Sequence, residues 1–266
     1  MKKQYLALLI LPALMLTSCS KGKEIKKEEA EKLAQEINDK NEASEDTSRN
    51  VELSFSMNEV SGRGEDKESI KVEYTVKTNE DGESYFQMKG GADGENYDFT
   101  LITAKVEEYG EVTYLKTYDA ESKKTTQYSF AGDTTLYSAM LLEYQAQMMI
   151  PTMMYVAYSD PSTVLQSSDY DENDGDIRGS KKYYSTGEGN LTIETSSTNK
   201  AKIDKDEEEM TSVSISATYD NYLLTNYSMI AKTSFGNTSY LKMKASYSNS
   251  KVKISLPSNY KDFFID

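Results

Sequence analysis

Val51, Leu53, Phe55 and Met57 alternate with Glu52, Ser54 and Ser56, and Ile70, Val72, Tyr74 and Val76 repeat the arrangement. Successive side chains of a strand point to opposite faces, so a period of two marks strands that are apolar on one face and polar on the other. Further strands are expected near residues 85–89, 97–105, 112–118 and 125–130, punctuated by turn signals at 61–64, Asp81-Gly82, Gly90-Gly91 and Asp93-Gly94. The pattern resumes from about residue 181, broken by a charged turn at 204–209. Val213, Ile215, Ala217 and Tyr219 alternate with Ser212, Ser214, Ser216 and Thr218, and Asp220-Asn221 turns the chain toward Leu223, Thr225, Tyr227 and Met229. Leu241, Met243, Ala245 and Tyr247 follow, then Val252, Ile254 and Leu256, stopped by Pro257. About eleven strands are predicted, the last four in hairpin order.

How such strands pack is decided by the supply of apolar residues. Counting Ala, Val, Ile, Leu, Met, Phe, Trp, Cys and Gly, they make up roughly 34% of the chain, below the usual range of about 45–50%. Two stacked sheets of this length would need a richer core. One large curved antiparallel sheet, an unclosed barrel with helices on its concave face, buries a single face and fits the shortage better. The expected class is α+β.

Two helical segments are expected. Over residues 24–41, Ala30, Leu33, Ala34 and Ile37 fall on one helical face, with lysines and glutamates elsewhere. That stripe either docks on a larger body or belongs to a stalk that spaces the domain from a bilayer. Residues 134–158 form the most apolar stretch after the N-terminus, with Leu136, Met140, Tyr144 and Met148 at four-residue spacing and Leu141, Met149, Met153 and Met154 on neighbouring faces. Asp133 or Thr134 can cap this insert, and Pro151 should kink or divide it. Glu143, Gln145 and Gln147 interrupt it, which argues against a membrane span.

Composition excludes several chemistries. The chain has no histidine, no tryptophan and one cysteine. Without histidine there is no Ser-His-Asp or Cys-His site, and a zinc site with the usual nitrogen or sulfur ligands is not expected. Paired carboxylates or Ser-Lys pairs remain conceivable, but no motif nominates them, so no catalytic residue is assigned and no enzyme is expected. Residues 169–176 are rich in acids, yet an EF-hand loop needs glycine at its sixth position and glutamate at its twelfth. Counted from Asp169, Gly175 comes one residue late and Ser180 holds the final place. A solvated loop is favoured over a calcium site, and neither metal nor cofactor is expected.

The chain opens with Met1, Lys2 and Lys3, continues through an apolar run at residues 5–16, and reaches Leu16, Thr17, Ser18 and Cys19. Twelve helical residues rise about 18 Å, short of the hydrocarbon thickness of about 30 Å. The run reads as an export signal. The quartet Leu-Thr-Ser-Cys resembles the lipobox of bacterial lipoproteins; the alternative is an ordinary signal peptide that happens to contain a cysteine. The resemblance implies cleavage before Cys19, lipidation of Cys19, and anchoring to the outer face of the cell membrane, or to an outer membrane where one exists. Two or more acyl chains hold a protein on a bilayer stably. Residues 1–18 are then signal peptide, 19–50 anchor, polar tether and N-terminal helix, and 51–266 one β-rich domain with the insert at 134–158. Cleavage removes two lysines and no acid, leaving 28 basic against 44 acidic residues. Such a charge repels phosphate backbones, so nucleic acid is not an expected partner.

The order of helix, strand meander, apolar insert and strand meander resembles the LolA/LppX-like envelope proteins in layout. The resemblance rests on Ala30 to Ile37, the insert at 136–158, the closing hairpins at 213–256, Tyr-Asp-Asn-Tyr at 219–222 and Leu-Pro-Ser at 256–258. It implies a cavity between sheet and helices that holds acyl chains or another acylated ligand. Flexible, polarizable methionines suit such a surface. The candidate lining is Leu136, Met140, Tyr144, Met148, Met149, Met153 and Met154, though the same segment can equally serve as plain core. The expected function is a non-enzymatic, membrane-anchored lipoprotein that binds a lipid or other apolar ligand; the alternative is a structural or adhesive surface protein.

Overall fold

A computed structural model of the chain describes residues 22–43, 50–61, 68–92, 96–132, 153–167, 177–204, 207–233, 237–248 and 250–265. A short strand, β1 (Lys23–Ile25), leads into helix α1 (Lys27–Ala43). Six strands follow: β2 (Asn50–Ser61), β3 (Glu68–Thr78), β4 (Ser84–Ala92), β5 (Tyr97–Val106), β6 (Gly110–Asp119) and β7 (Lys124–Ala131). Residues 153–159 are helical and α2 (Pro161–Ser167) comes next. Five more strands complete the set: β8 (Ile177–Gly187), β9 (Asn190–Asp204), β10 (Glu207–Asp220), β11 (Leu223–Thr233) and β12 (Thr238–Ser248).

These strands form one sheet in the order β1-β8-β9-β10-β11-β12-β2-β3-β4-β5-β6-β7, each antiparallel to its neighbours. It does not close: β1 and β7 stand at opposite edges. The two hairpin runs join where β12 lies beside β2, with Met243 opposite Phe55 and Leu241 opposite Met57. Residues 153–159 and α2, which lie between β7 and β8 in the chain, pack over one face of the sheet.

Register makes that face continuous. Phe55 is opposite Tyr74, Tyr74 opposite Met88, Met88 opposite Phe99, and Leu101 opposite Leu115. In the other direction Met243 is opposite Tyr227, Tyr227 opposite Ala217, Ala217 opposite Ile193, and Ile193 opposite Tyr183. All belong to one core on the inner face, together with Ala30, Ala34 and Ile37 of α1 and Val164 of α2. Neighbouring rings of Phe55, Tyr74, Phe86 and Phe99 lie 5.5, 6.0 and 5.7 Å apart, edge-on or tilted. Aromatic pairs in such arrangements contribute about 0.5–1.5 kcal/mol each beyond their buried area.

The N-terminal helix docks on the sheet and is not a stalk. Ala30, Ala34 and Ile37 are fully buried against β8, β9 and α2. Part of the stretch expected as tether joins the sheet, since β1 pairs with β8 through Lys23 to Ser185 and Ile25 to Tyr183. This edge strand brings the number of described strands to twelve.

One expected strand is absent. Residues 252–256 alternate as a strand should, but β12 already has β11 on one side and β2 on the other, so no edge is left to receive them. They cross instead to the outer face, where Val252, Ile254 and Leu256 pack against Ile102, Ala104 and Tyr114. A polar knot holds this segment at its start. Asn79, which is 2% exposed, donates to Glu83 Oε2 at 2.7 Å and to the Val252 carbonyl at 3.1 Å, while Val252 N donates to Asn50 Oδ1 at 3.0 Å. Lys251 is ion-paired with Asp81 and lies 3.7 Å from Glu83. The charged turn expected at 204–209 is also shorter than expected, with β9 running to Asp204 and β10 resuming at Glu207.

Candidate functional site

The inner face of β10, β11 and β12 presents Tyr219, Tyr227 and Tyr247 to the helical residues 153–159. Each reaches this face through strand alternation: Tyr219 beside Ala217 and Ile215, Tyr227 opposite Met243, and Tyr247 two places beyond Ala245. The helix answers with tyrosines three residues apart, a spacing that puts both on one helical face. Tyr158 stacks on Tyr227 with centroids 4.0 Å apart and planes at 15°. The Tyr219 hydroxyl donates to the Tyr158 carbonyl at 2.7 Å. The hydroxyls of Tyr155 and Tyr247 are hydrogen-bonded to each other, and Tyr247 also donates to the Leu224 carbonyl at 3.0 Å.

Burial pushes the Tyr219 phenol far above its ordinary value, with the Asp160 charge adding to it. Tyr227 is raised by burial and then by its hydrogen bond with Tyr158. Both phenols therefore stay protonated at neutral pH. They act as donors and apolar plates rather than as bases.

Asp160 ends this helix and begins the next. Its carboxylate accepts from Ser162 N at 2.7 Å and from Thr163 Oγ1 at 3.3 Å, capping α2, while Pro161 occupies the first helical position. Asn38 of α1 reaches across to donate to Asp160 Oδ1 at 2.7 Å and to Ser162 Oγ at 2.8 Å. Partial burial works to raise the Asp160 carboxyl, but the hydrogen bonds from Asn38, Ser162 and Thr163 together hold it below its ordinary value. One carboxylate thus ties α1, α2 and residues 153–159 together. The Asp-Pro-Ser signal for this cap stands in the sequence at 160–162; the short α2 that follows it was not among the expected helices.

Of the residues expected to line an apolar site, Met154 packs against the core and Met153 is 61% exposed beside Val156 at 62%. Leu136, Met140, Tyr144, Met148 and Met149 lie outside the described residues, as do Cys19 and the acidic run at 169–176. Tyr155 and Tyr158, which make the contacts with β10, β11 and β12, were not among the expected lining residues. Their signal was the pairing with tyrosines at inward-facing strand positions. Among the described residues no cluster of carboxylates could hold a metal ion, and no helix is long and apolar enough to cross a membrane.

No protein-family model matches this sequence, and the comparison with curated proteins found no match either. Two solved structures are similar at low identity. One is an outer membrane lipoprotein-sorting protein domain from Vibrio parahaemolyticus, 11% identical over 86% of this chain and 96% of that one, with a TM-score of 0.24. The other is a DUF1329 family protein from Desulfovibrio piger, 10% identical over 87% of this chain and 96% of that one, with a TM-score of 0.23.

Proposed function

We propose that this chain is an exported, non-enzymatic lipoprotein, acylated on Cys19, which binds an acyl chain or another apolar ligand between the inner face of its sheet and the helix at residues 153–159. The observation that carries this reading is the shallow seat of that helix. None of residues 153–159 is fully buried, whereas α1 buries three side chains completely and α2 buries Val164. Its attachment is made of hydroxyl contacts and one ring stack, on top of a sheet face whose own side chains are apolar. Contacts of this kind contribute on the order of 1 kcal/mol each. A ligand rich in methylenes, at about 0.8 kcal/mol for each one buried, can compensate their loss.

On the inner face Phe55, Phe86, Phe99, Leu115 and Phe130 are all at 5% exposure or less. In this reading the ligand enters beneath residues 153–159 as they lift from the tyrosines of β10, β11 and β12. Gly22 already packs on β8, where a Cβ would lie 2.3 Å from the Ser185 carbonyl oxygen. Three residues of extended chain span at most about 11 Å, so acylation of Cys19 would hold this edge of the sheet close to the bilayer.

The test is native mass spectrometry of the full chain, extracted in mild detergent and exposed to a fluorescent fatty acid and a short-chain phospholipid. One bound probe per chain is expected, with binding strengthened several-fold by Tyr219→Phe, which removes a seat contact without narrowing the site. A protein that stays free of both probes in both forms overturns the reading. Anchoring is tested separately: Cys19→Ser should move the protein from the membrane fraction to the soluble one.

A further inference from the structure

The face of the sheet opposite the core carries a pocket near the end where the β8–β9 and β10–β11 hairpins turn. One cross-strand row runs through it: Tyr184 is opposite Thr192, Thr192 opposite Thr218, and Thr218 opposite Asn226. Their chain neighbours Tyr183, Ile193, Ala217 and Tyr227 belong to the main core, so strand alternation turns the row outward. The pocket encloses about 280 Å³. That is just under the range of about 300–1,000 Å³ that accommodates drug-sized ligands, so the space suits one small molecule.

Three features set this pocket apart from an ordinary solvated sheet face. Both hairpins depart from regular pairing beside it, β8–β9 between Tyr184 and Gly187, and β10–β11 between Thr218 and Tyr219. Such irregularities re-aim side chains, and the extra residue Thr225 donates through its hydroxyl to the Thr218 carbonyl at 3.1 Å. The two hairpin tips are also tied together. Tyr222 N donates to the Gly189 carbonyl at 2.9 Å and the Tyr222 hydroxyl donates to Glu188 Oε1 at 2.5 Å, so the end of the pocket is held in shape by the chain itself. Finally, Thr192 is only 6% exposed, yet its hydroxyl has a single partner among the described residues, Thr218 Oγ1 at 3.5 Å. That distance is at the outer limit of a hydrogen bond, so a buried hydroxyl in the pocket keeps capacity for a stronger partner.

The lining defines the ligand class. Its one carboxylate, Asp220, is exposed and makes no hydrogen bond or ion pair among the described residues, and no lysine or arginine stands among the described lining. In a chain of net charge −14, such a pocket turns anions away. We infer that it binds one neutral sugar ring bearing a vicinal diol, either free or at the end of a glycan. The two adjacent sugar hydroxyls donate to the two oxygens of Asp220, another exchanges hydrogen bonds with Thr192 and Thr218, and the C–H face of the ring packs on Tyr184. Threonine hydroxyls and the Asn226 amide can both donate and accept, as a polyol requires. An ammonium ligand would satisfy Asp220 but offers only donors and no apolar ring face to Tyr184. This site lies on the opposite side of the sheet from the proposed apolar site and does not depend on it.

The experiment is saturation-transfer difference NMR on the full detergent-solubilised chain. The probes are glucose, galactose, mannose and N-acetylglucosamine, each free and as its methyl glycoside, with putrescine for comparison. Saturable transfer to the ring protons of at least one sugar is expected, weakened about tenfold in Asp220→Asn and about fivefold in Thr192→Val. Equal binding of free sugar and methyl glycoside marks the end of a glycan as the ligand, and preference for the free sugar marks a monosaccharide; both support the inference. Asp220 is exposed, and valine keeps the shape of threonine while removing a loosely held hydroxyl, so both variants should unfold near the wild-type urea midpoint. No transfer to any sugar, undiminished binding by either variant, or tighter binding of putrescine than of every sugar would each overturn the inference. Fatty-acid binding should be unchanged in Asp220→Asn, which separates this result from the fate of the inner-face proposal.

Discussion

Replacing Ile37 by alanine tests whether α1 belongs to the core or merely leads to it. Ile37 is 0% exposed, enclosed with Ala30 and Ala34 in the same cluster as the sheet residues. The substitution removes three carbons, at about 0.8 kcal/mol each, or about 2.4 kcal/mol of transfer free energy. A residual cavity on the order of 40 Å³, at about 24 cal/mol per Å³, adds about 1 kcal/mol. Alanine is the better helix former by about 0.4 kcal/mol, which acts in the opposite direction. The net expectation is a loss of about 3 kcal/mol. With an m-value of about 2.5 kcal/mol/M, the urea midpoint falls by about 1.2 M at unchanged slope. The chain has 21 tyrosines and no tryptophan, so unfolding is followed by far-ultraviolet circular dichroism and tyrosine emission. Lys32→Ala, on the exposed side of the same helix, should stay within about 0.5 kcal/mol of wild type. On an undocked helix only the propensity difference would act, and Ile37→Ala would be neutral or slightly stabilising. That sign would refute the docking argument.

Two further outcomes follow from the turns and the polar knot. Gly189→Ala places a Cβ at a φ of +70°, within 2.9 Å of the Tyr222 ring, which is itself held by Glu188 at 2.5 Å. The left-handed conformation alone costs roughly 1–2 kcal/mol, so differential scanning fluorimetry should show Tm lower by several degrees, and an unchanged Tm would contradict the packing described. Glu83 is held below the ordinary carboxylate range by the Asn79 hydrogen bond, against its burial and with help from Lys105 N and the Lys251 charge. A folded value below the unfolded one means a stabilisation that is complete above about pH 4.5 and lost as pH falls through the lower folded value. Urea midpoints taken from pH 6 to pH 3 should therefore fall less steeply in Glu83→Gln than in wild type, and parallel curves would rule the linkage out.

Much of the architecture was legible in the residues because a strand's period of two and a helix's 3.6 are local properties. Val51 to Met57, Val213 to Tyr219 and the Ala30 to Ile37 stripe each declare which side must be buried, whatever lies opposite. The apolar shortage pointed to one open sheet with a single main core, and the twelve-stranded sheet agrees, with a smaller buried cluster around Ile102 and Tyr114 on its outer face. The strand expected at Val252 to Leu256 failed for a reason that no local pattern contains: alternation reports that one side is covered but not whether a neighbouring strand has a free edge. Topology alone decided that, by laying β12 against β2 and sending the last segment over the outer face.

The candidate sites divide in the same way. The sequence by itself determined the element types, the polar and apolar faces, the absence of histidine chemistry and the resemblance of residues 16–19 to a lipobox. It did not determine which residues meet. Tyr158 and Tyr227 are 69 positions apart yet stack at 4.0 Å, and Tyr184 shares a pocket with Asn226 across four strands. Such contacts depend on strand order and register, which are set by the joint packing of the whole inner face, and that is a property only the folded chain possesses.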